Sequence, residues 1–403
     1  MKGEVLARHA LALARSVERD AVRLRRDFHQ HPELGFQERR TTGVILDCLA
    51  GLGMEIVRPA RSTGVIARLS PASAVARRRP AVALRADIDA LPIVEENRFS
   101  FRSRNRGVAH MCGHDAHAAM LLAAARALSG ERARLPRPVT FIFQPAEECI
   151  PNGAPVMIAA GALREVGEVY GVHVTTQGAL GTLATRVGPL MASMDRFDME
   201  VVGRGGHGAY PHKTSDPVTA SAAVIGALQT VVSRRVDPVD PAVVSVCTLE
   251  APGAFNVIPE RVKLSGTCRS LSPRVHAQLP KLVREIASGA ARALGCRLQM
   301  KYSRGTPVLM NASGGVDRMR RLWADQSRVR RGPAGSRKCC IEMPPTMGGE
   351  DFAFYLKKVK GAFSFLGAAP AASPAPAHNP RFDVDERVLA MGVALHVALA
   401  LEE

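Results

Sequence analysis

Two spacings of hydrophobic residues alternate along the first part of the chain. Leu, Val and Ala recur at helical spacing in four segments, which predicts helices at 5–29, 39–50, 115–129 and 153–163. Short runs rich in Val, Ile and Phe lie between the helices and predict strands at 64–69, 81–86, 139–143 and 169–174. This order of strands and helices favours an α/β fold with a mainly parallel sheet covered by helices.

The pattern changes after about residue 188. Four alternating strands and two helices are predicted in the order strand 195–202, helix 217–234, strands 243–250 and 261–269, helix 273–295 and strand 297–302. Asp216 and Ser272, each followed by proline, predict the starts of the two helices, and Pro280 predicts a kink or restart in the second. The β-α-β-β-α-β order is that of the ferredoxin-like unit.

The α/β pattern resumes near residue 305, with a strand predicted at 362–366 and a closing helix at 384–401. We therefore predict one α/β domain made of residues 1–188 and 305–403. An inserted ferredoxin-like α+β domain, residues 189–304, interrupts it.

Composition agrees with a globular protein of 403 residues, because 46% of the residues are hydrophobic and 23% are charged. No apolar run approaches the roughly 20 residues that a membrane-spanning helix needs. The first thirty residues carry dispersed arginines and lack the layout of a signal peptide. We expect a cytoplasmic protein with no membrane partner.

The net charge of +17 raises the question of nucleic-acid binding. Aromatic residues make up only 4% of the chain and do not interleave with the arginine clusters, so no base-stacking surface is predicted. We expect no nucleic-acid partner, but the charge favours small anionic substrates. The eight cysteines are too sparse for a disulfide scaffold, and Cys247 and Cys268 fit strand patterns as small buried side chains.

Residues able to do chemistry follow the predicted strands. They are Asp87 and Asp89 after strand 81–86, Glu147 and Glu148 after strand 139–143, and His173 at the end of strand 169–174. Ligands of parallel α/β sheets gather at the carboxyl ends of the strands, so these side chains are expected at one edge.

Two further segments add to this set. Cys112, His114 and Asp115 come directly before or at the start of a predicted helix, and His378 lies in the loop before the last one. Thiolate, imidazole and carboxylate together form the mixed ligand set that zinc, manganese, cobalt or nickel accept. Taken singly, a histidine is more often a core residue, Asp115 could be only a helix N-cap, and adjacent glutamates usually form a solvated face.

The adjacent glutamates suggest a division of labour. Successive residues of an extended segment point in opposite directions, so one carboxylate could bind metal while the other faces a metal-bound water as general base. His117 lies one turn after His114, and we expect it to support the ligands rather than to bind metal.

Eight motifs together resemble the binuclear metal amidohydrolases, a family that includes hippurate hydrolase, indoleacetyl-amino-acid hydrolases and N-acetyl-diaminopimelate deacetylase. Aminoacylases and carboxypeptidase G are distant relatives of that family. The eight motifs occur in order along the chain. The first residues of each motif are His29-Gln-His-Pro32-Glu33, Arg85-Ala-Asp87-Ile-Asp89, His110-Met-Cys112-Gly-His114-Asp115, Gln144-Pro-Ala-Glu147-Glu148, Gly206-His207, Asn256-Val-Ile-Pro259, Gly348-Gly-Glu350-Asp351 and His378-Asn-Pro380.

The resemblance implies two divalent metal ions per chain. Their implied ligands are Cys112, His114, Glu148, His173 and His378, with Cys112 bridging the two ions. It also implies that Glu147 is the general base and acid, assisted by Asp89. In the insert, His207, Asn256 and Arg269 match residues that contact substrate, and His207 is expected to act in catalysis by stabilising the oxyanion.

The implied activity is cleavage of the amide bond of an N-acyl amino acid, a small-molecule substrate. A metallo-dipeptidase or aminopeptidase on the same site is the main rival hypothesis, and a catalytically silent ligand-binding protein is a second. The insert could serve as a lid or as a dimerisation domain, and we expect a homo-oligomer.

Overall fold

The computed structural model describes residues 3–331, 339–371 and 374–403. Two compact units emerge from the contacts among these residues. The α/β unit comprises the described parts of Met1–Gly188, Met310–Pro344 and Phe354–Glu403. The insert unit comprises Pro189–Leu309 together with Pro345–Ala353, so it extends slightly beyond the segment 189–304 suggested by the sequence pattern.

The elements are numbered in chain order. The helices are α1 (Gly3–Ser16), α2 (Glu18–Gln30), α3 (Arg39–Leu49), α4 (Ala74–Arg77), α5 (His114–Ser129), α6 (Ala154–Ala159), α7 (Pro217–Thr230), α8 (Pro273–Ala293), α9 (Ser313–Arg331), α10 (Ala353–Leu356) and α11 (Arg387–Leu401). The strands are β1 (Glu55–Val57), β2 (Val65–Leu69), β3 (Ala81–Asp87), β4 (Val139–Gln144), β5 (Val166–Thr175), β6 (Leu183–Thr185), β7 (Gly188–Met191), β8 (Ser193–Val202), β9 (Gly206–His207), β10 (Ala242–Glu250), β11 (Val257–Ile258), β12 (Arg261–Ser270), β13 (Arg297–Thr306), β14 (Leu309–Asn311), β15 (Cys340–Glu342) and β16 (Lys360–Gly367).

The α/β unit is built on an eight-stranded sheet in the order β1-β2-β4-β3-β5-β16-β6-β15. Its centre is parallel, with β3 between β4 and β5, and β16 beside β5. These pairings confirm the predicted α/β class with a mainly parallel sheet. The strand predicted at 64–69 is β2, which pairs antiparallel with β4 and leads to the edge strand β1.

Burial explains why the central strands are mainly hydrophobic. Every residue of β3 and β4 is buried, as expected where helices cover both faces of a sheet. Helix α5 is buried along nearly its whole length and packs against α2 and α11. In the described ranges, no helix combines the length and apolar character needed to cross a bilayer.

The insert unit contains an antiparallel sheet in the order β10-β12-β8-β13, with α7 and α8 packed against it. This strand order confirms the predicted ferredoxin-like unit. Phe197, Met199 and Val201 on β8 lie in its core, as the alternating pattern predicts. The Asp216 side chain accepts hydrogen bonds from the Val218 and Thr219 amides and so caps α7 as expected.

The structure differs from two local expectations in the insert. Helix α8 does not restart at Pro280 but runs through it as one helix, and the His276 carbonyl, which proline leaves without its helical donor, accepts a hydrogen bond from Arg304 Nη1 at 2.8 Å. Cys247 is exposed rather than buried, as are the three residues that follow it on the edge strand β10, and the register of β10 against β12 shifts between Val246 and Thr248. This bulge interrupts the alternation on which the expectation depended.

Candidate metal centre

The carboxyl ends of three neighbouring parallel strands meet as expected. Asp87 at the end of β3 pairs in register with Gln144 at the end of β4, and β5 on the other side of β3 carries His173 near its own end. The loop that follows β4 contains Glu147 and Glu148. Chemically active side chains from separate segments therefore collect at one edge of the sheet.

Among the described residues, four groups of possible metal ligands overlap at this edge, and two of them share Cys112. Cys112, His114 and His173 form one group, and Cys112, Glu148 and His378 form the other. Within each group the potential ligand atoms all lie within 4.8 Å of one another. Cys112 belongs to both groups, which is the arrangement that a sulfur shared by two metal ions requires.

Gly113 brings the two neighbouring ligands into position. Its φ of 93° lies in the left-handed region, and a Cβ at this position would lie 2.4 Å from Val174 Cγ2. Only glycine fits this turn, which places Cys112 just before α5 and His114 at its first residue.

Hydrogen bonds orient both imidazoles towards the cysteine. His114 Nδ1 lies 3.0 Å from the Asp89 backbone oxygen and 3.2 Å from Asp89 Oδ1, and His114 Nε2 is buried without a hydrogen-bond partner among the described residues. His173 Nδ1 lies 2.6 Å from the Val174 carbonyl, and its Nε2 lies 3.4 Å from Cys112 Sγ. Ligating histidines are commonly held through their second nitrogen in this way.

The electrostatic environment favours a cation at His114. Burial by itself disfavours charge, yet Asp87 and Cys112 raise the pKa of His114 well above its ordinary value. Burial also raises the pKa of the Cys112 thiol to about 12. A divalent ion would satisfy the orphaned Nε2 and stabilise the thiolate, so these residues fit a metal centre.

The two glutamates do not follow the expected geometry. They lie in a bend after β4 rather than in an extended segment, and both carboxylates come within 4.8 Å of a nitrogen of His114. The prediction that they point in opposite directions was therefore wrong. Glu148 Oε1 lies 2.9 Å from His378 Nε2, and the Glu148 amide donates to Asp89 Oδ2 at 3.0 Å.

His117 contributes no free ring nitrogen to this arrangement. Its Nδ1 lies 2.5 Å from Asp87 Oδ1, and its Nε2 accepts a hydrogen bond from the Val174 amide at 2.9 Å. Burial favours the neutral form of Asp87, but His114, Arg85 and His117 hold its pKa well below the ordinary value. This geometry agrees with the expected supporting role of His117.

Asp115 is not a helix N-cap, because the cap position belongs to Gly113 and Asp115 lies inside the first turn of α5. It is buried and accepts a hydrogen bond from Arg25 Nε at 3.0 Å, and His29 Nδ1 lies 2.8 Å from it. The carboxylate ties α2 to the start of α5, where His114 lies.

Sequence reasoning missed Glu38, a buried carboxyl that holds the loop before the glutamates. Glu38 Oε1 accepts from the Ala146 amide at 2.9 Å, and Oε2 accepts from Thr63 Oγ1 at 2.5 Å. Ala146 has a φ of 52°, which is uncommon for a residue with a side chain. No local pattern indicates this contact, because Glu38 and Ala146 lie 108 residues apart.

The pKa of Glu38 leads to a testable pH dependence. Burial raises it from 4.5 to about 7, so the folded protein keeps a proton that the unfolded chain releases. Stability should therefore fall as pH rises from 4.5 to 7. Urea unfolding of Glu38→Gln should lack this component, and we expect the variant to gain on the order of 2 kcal/mol relative to wild type across that window. Parallel pH profiles for the two proteins would contradict this assignment.

The three candidate residues of the insert lie on two separate parts of it, the β9–β11 pair and the four-stranded sheet. His207 is exposed on β9, which pairs with β11 next to Asn256, and the Gly208 amide donates to the Asn256 carbonyl at 2.8 Å. Arg269 lies on β12, on the same face as Arg261 and Lys263. His207 and Asn256 are thus brought together on one ribbon, whereas Arg269 belongs to the four-stranded sheet.

The chain is similar to known proteins over most of its length. Residues 83–402 match the family described as Peptidase family M20/M25/M40. The chain belongs to this peptidase family. It is 37% identical over 384 residues to an IAA-amino acid hydrolase of Arabidopsis thaliana, covering 94% of this chain and 84% of that protein.

Two bacterial relatives extend the comparison. An N-acetylcysteine deacetylase of Bacillus subtilis is 36% identical over 381 residues, covering 94% of this chain and 96% of that protein. The crystal structure of a dinuclear metal binding peptidase of the M20 family from Bacillus subtilis superposes with a TM-score of 0.79 at 33% identity, covering 96% and 98% of the two chains. This M20 family member is a metal-dependent hydrolase of linear amides, and two divalent metal ions are its cofactors.

Proposed function

We propose that this M20 family enzyme hydrolyses the amide bond of N-acyl amino acids to a carboxylic acid and a free amino acid. The observation that carries the proposal is the pair of ligand groups that share Cys112, with Glu147 beside them. The names of two relatives, an IAA-amino acid hydrolase and an N-acetylcysteine deacetylase, support the substrate class.

The proposed ligands of the two ions are the five residues of the two groups that share Cys112, with Cys112 as the ligand common to both ions. They are Cys112, His114, Glu148, His173 and His378. Bound divalent ions lower the pKa of water and polarise a carbonyl oxygen. The two carboxylate oxygens of Asp89 form hydrogen bonds with the His114 ring and with the Glu148 amide. These bonds would hold one imidazole and one carboxylate in fixed positions.

Glu147 is the proposed general base and acid. Its carboxylate would accept a proton from the attacking water and then donate that proton to the leaving amine, so the group returns to its starting state. The hydrogen bond from the Ala146 amide to Glu38 would keep the preceding turn of the loop in place. His207 and Asn256 are proposed to contact the substrate.

A substrate panel tests the proposal. Metal-loaded enzyme should hydrolyse N-acetyl, N-benzoyl or indoleacetyl amino acids and should act slowly or not at all on dipeptides with a free amino group. Faster hydrolysis of the free dipeptides would favour the dipeptidase alternative. Absence of hydrolysis with every substrate, in protein that holds its metal, would favour a ligand-binding protein. Cytoplasmic location and homo-oligomer formation stay predictions from the sequence.

Arg269 is the proposed partner of the substrate carboxylate. It is half-buried on β12, burial lowers its pKa, and its Nη1 donates to the Met347 carbonyl at 3.0 Å. No carboxylate among the described residues lies within ion-pair distance of this guanidinium. The charge is therefore available for a carboxylate ligand.

Arg269→Ala should raise KM for N-acyl amino acids by about 30-fold, since losing one partner of a partly desolvated charge pair costs about 2 kcal/mol. Steady-state kinetics with the free acid and with its carboxamide would measure the effect, and the carboxamide should be hydrolysed equally by both proteins. Arg261→Ala is the matched control, because Arg261 lies on the same face of β12 but pairs with Glu200 at 3.0 Å. An equal effect of both substitutions would contradict the role of Arg269.

A further inference from the structure

A cavity of about 640 Å³ opens on the α/β unit beside α3 and the segment that precedes β2. Three arginines line it: Arg39, Arg58 and Arg61. All three side chains are exposed, and no acidic residue is among the lining residues. Among the described residues, none of the three forms an ion pair with a carboxylate, whereas Arg40 beside them pairs with Asp27 at 2.8 Å.

Residues that carry hydroxyl groups also line this cavity. Thr42, Ser62 and Thr63 lie among the arginines. The Ser62 hydroxyl is shielded from solvent and has no hydrogen-bond partner among the described residues. Guanidinium groups together with hydroxyl donors are the set that proteins use to bind oxyanions that carry two or more charges.

We propose that this cavity, here called the arginine cavity, binds a small multivalent oxyanion of the phosphate class and that the bound anion slows amide hydrolysis. Three uncompensated positive charges favour a dianion over a single carboxylate. The arginine cavity is formed by residues 36–63, none of which is among the proposed metal ligands or substrate contacts.

Thr63 connects the arginine cavity to the loop that carries Glu147. Its hydroxyl has one proton, which it donates to Glu38 Oε2, and Glu38 Oε1 in turn accepts from the Ala146 amide. An oxyanion that accepts the Thr63 proton would break the bond to Glu38 and would loosen the loop that begins with Ala146. Because Glu147 follows Ala146, this kinetic effect rests on the role proposed for Glu147, whereas anion binding itself does not.

Calorimetric titration of the metal-loaded enzyme with inorganic phosphate, in a phosphate-free buffer, tests the binding. We expect saturable binding that weakens at least about tenfold in the variant Arg58→Gln/Arg61→Gln, because two charge-assisted contacts are lost while side-chain length is kept. Arg78→Gln/Arg79→Gln is the matched control, since it removes the same charge from exposed residues outside the cavity. Acetate, which carries a single charge, should bind far more weakly than phosphate.

Kinetics in the same buffer test the consequence. Phosphate should lower kcat of the wild type and of the control variant by about fivefold, the effect expected for loss of one hydrogen bond, and should leave Arg58→Gln/Arg61→Gln unaffected. Phosphate that binds at the metal centre instead would compete with substrate and would act equally on all three proteins. That result, or binding that is unchanged in Arg58→Gln/Arg61→Gln, or binding without a change in kcat, would overturn the proposal.

Discussion

Glu147→Gln should abolish turnover while the protein keeps its metal ions. Glutamine has nearly the shape of glutamate but cannot accept a proton from water, and general acid and base catalysis contributes about 10²- to 10⁴-fold to such reactions. We therefore expect kcat to fall by about 10³-fold or more with KM little changed. Steady-state kinetics and metal analysis of the same preparation would measure both properties.

Glu148→Gln is the matched comparison, because it makes the same chemical change one residue further along the same bend. Glu148 belongs to a ligand group with Cys112 and His378, so this variant should lose metal as well as activity. Equal metal content in the two variants would show that the proposed division of labour between the glutamates is wrong.

Cys112→Ala should remove most of the bound metal and with it the activity. Cys112 is the member common to both ligand groups, so its loss weakens two sites at once. Metal content should fall from about two ions per chain to below one, and activity should fall as far as it does after exhaustive chelation. Elemental analysis together with a hydrolysis assay would measure the two quantities.

Cys268→Ala provides the control for loss of a buried thiol. Cys268 lies in the core of the insert unit and belongs to neither ligand group. This variant is expected to lose some stability but to keep its metal ions. Full metal content in Cys112→Ala, or full hydrolysis after chelation of the wild type, would contradict a bridging thiolate.

The sequence alone predicted the class of fold because burial on both faces leaves a direct trace in composition. The strands β3 and β4 are apolar over most of their length, and the alternating strand β8 of the insert is apolar mainly on one face. The sequence also showed, for a similar reason, which residues able to do chemistry lie near one another. Side chains that follow parallel strands must meet at the carboxyl edge of the sheet, whatever the loops do.

The tertiary structure decided how strands and side chains are oriented and which residues contact one another. Three features depend on contacts with another part of the chain. They are the antiparallel pairing of β2, the continuation of α8 through Pro280 and the exposure of Cys247. The bend that turns Glu147 and Glu148 towards the same imidazole depends in part on Glu38, which is distant in sequence.

The physical reason is the range of the interactions. Hydrophobic spacing and strand ends are properties of a few consecutive residues, so a local pattern reports them. The buried nitrogen of His114, the turn at Ala146 and the arginine cavity come from hydrogen bonds and charges of segments that only folding brings together. The sequence by itself thus determined which residue types and strand ends are available, and the tertiary structure decided which atoms face one another.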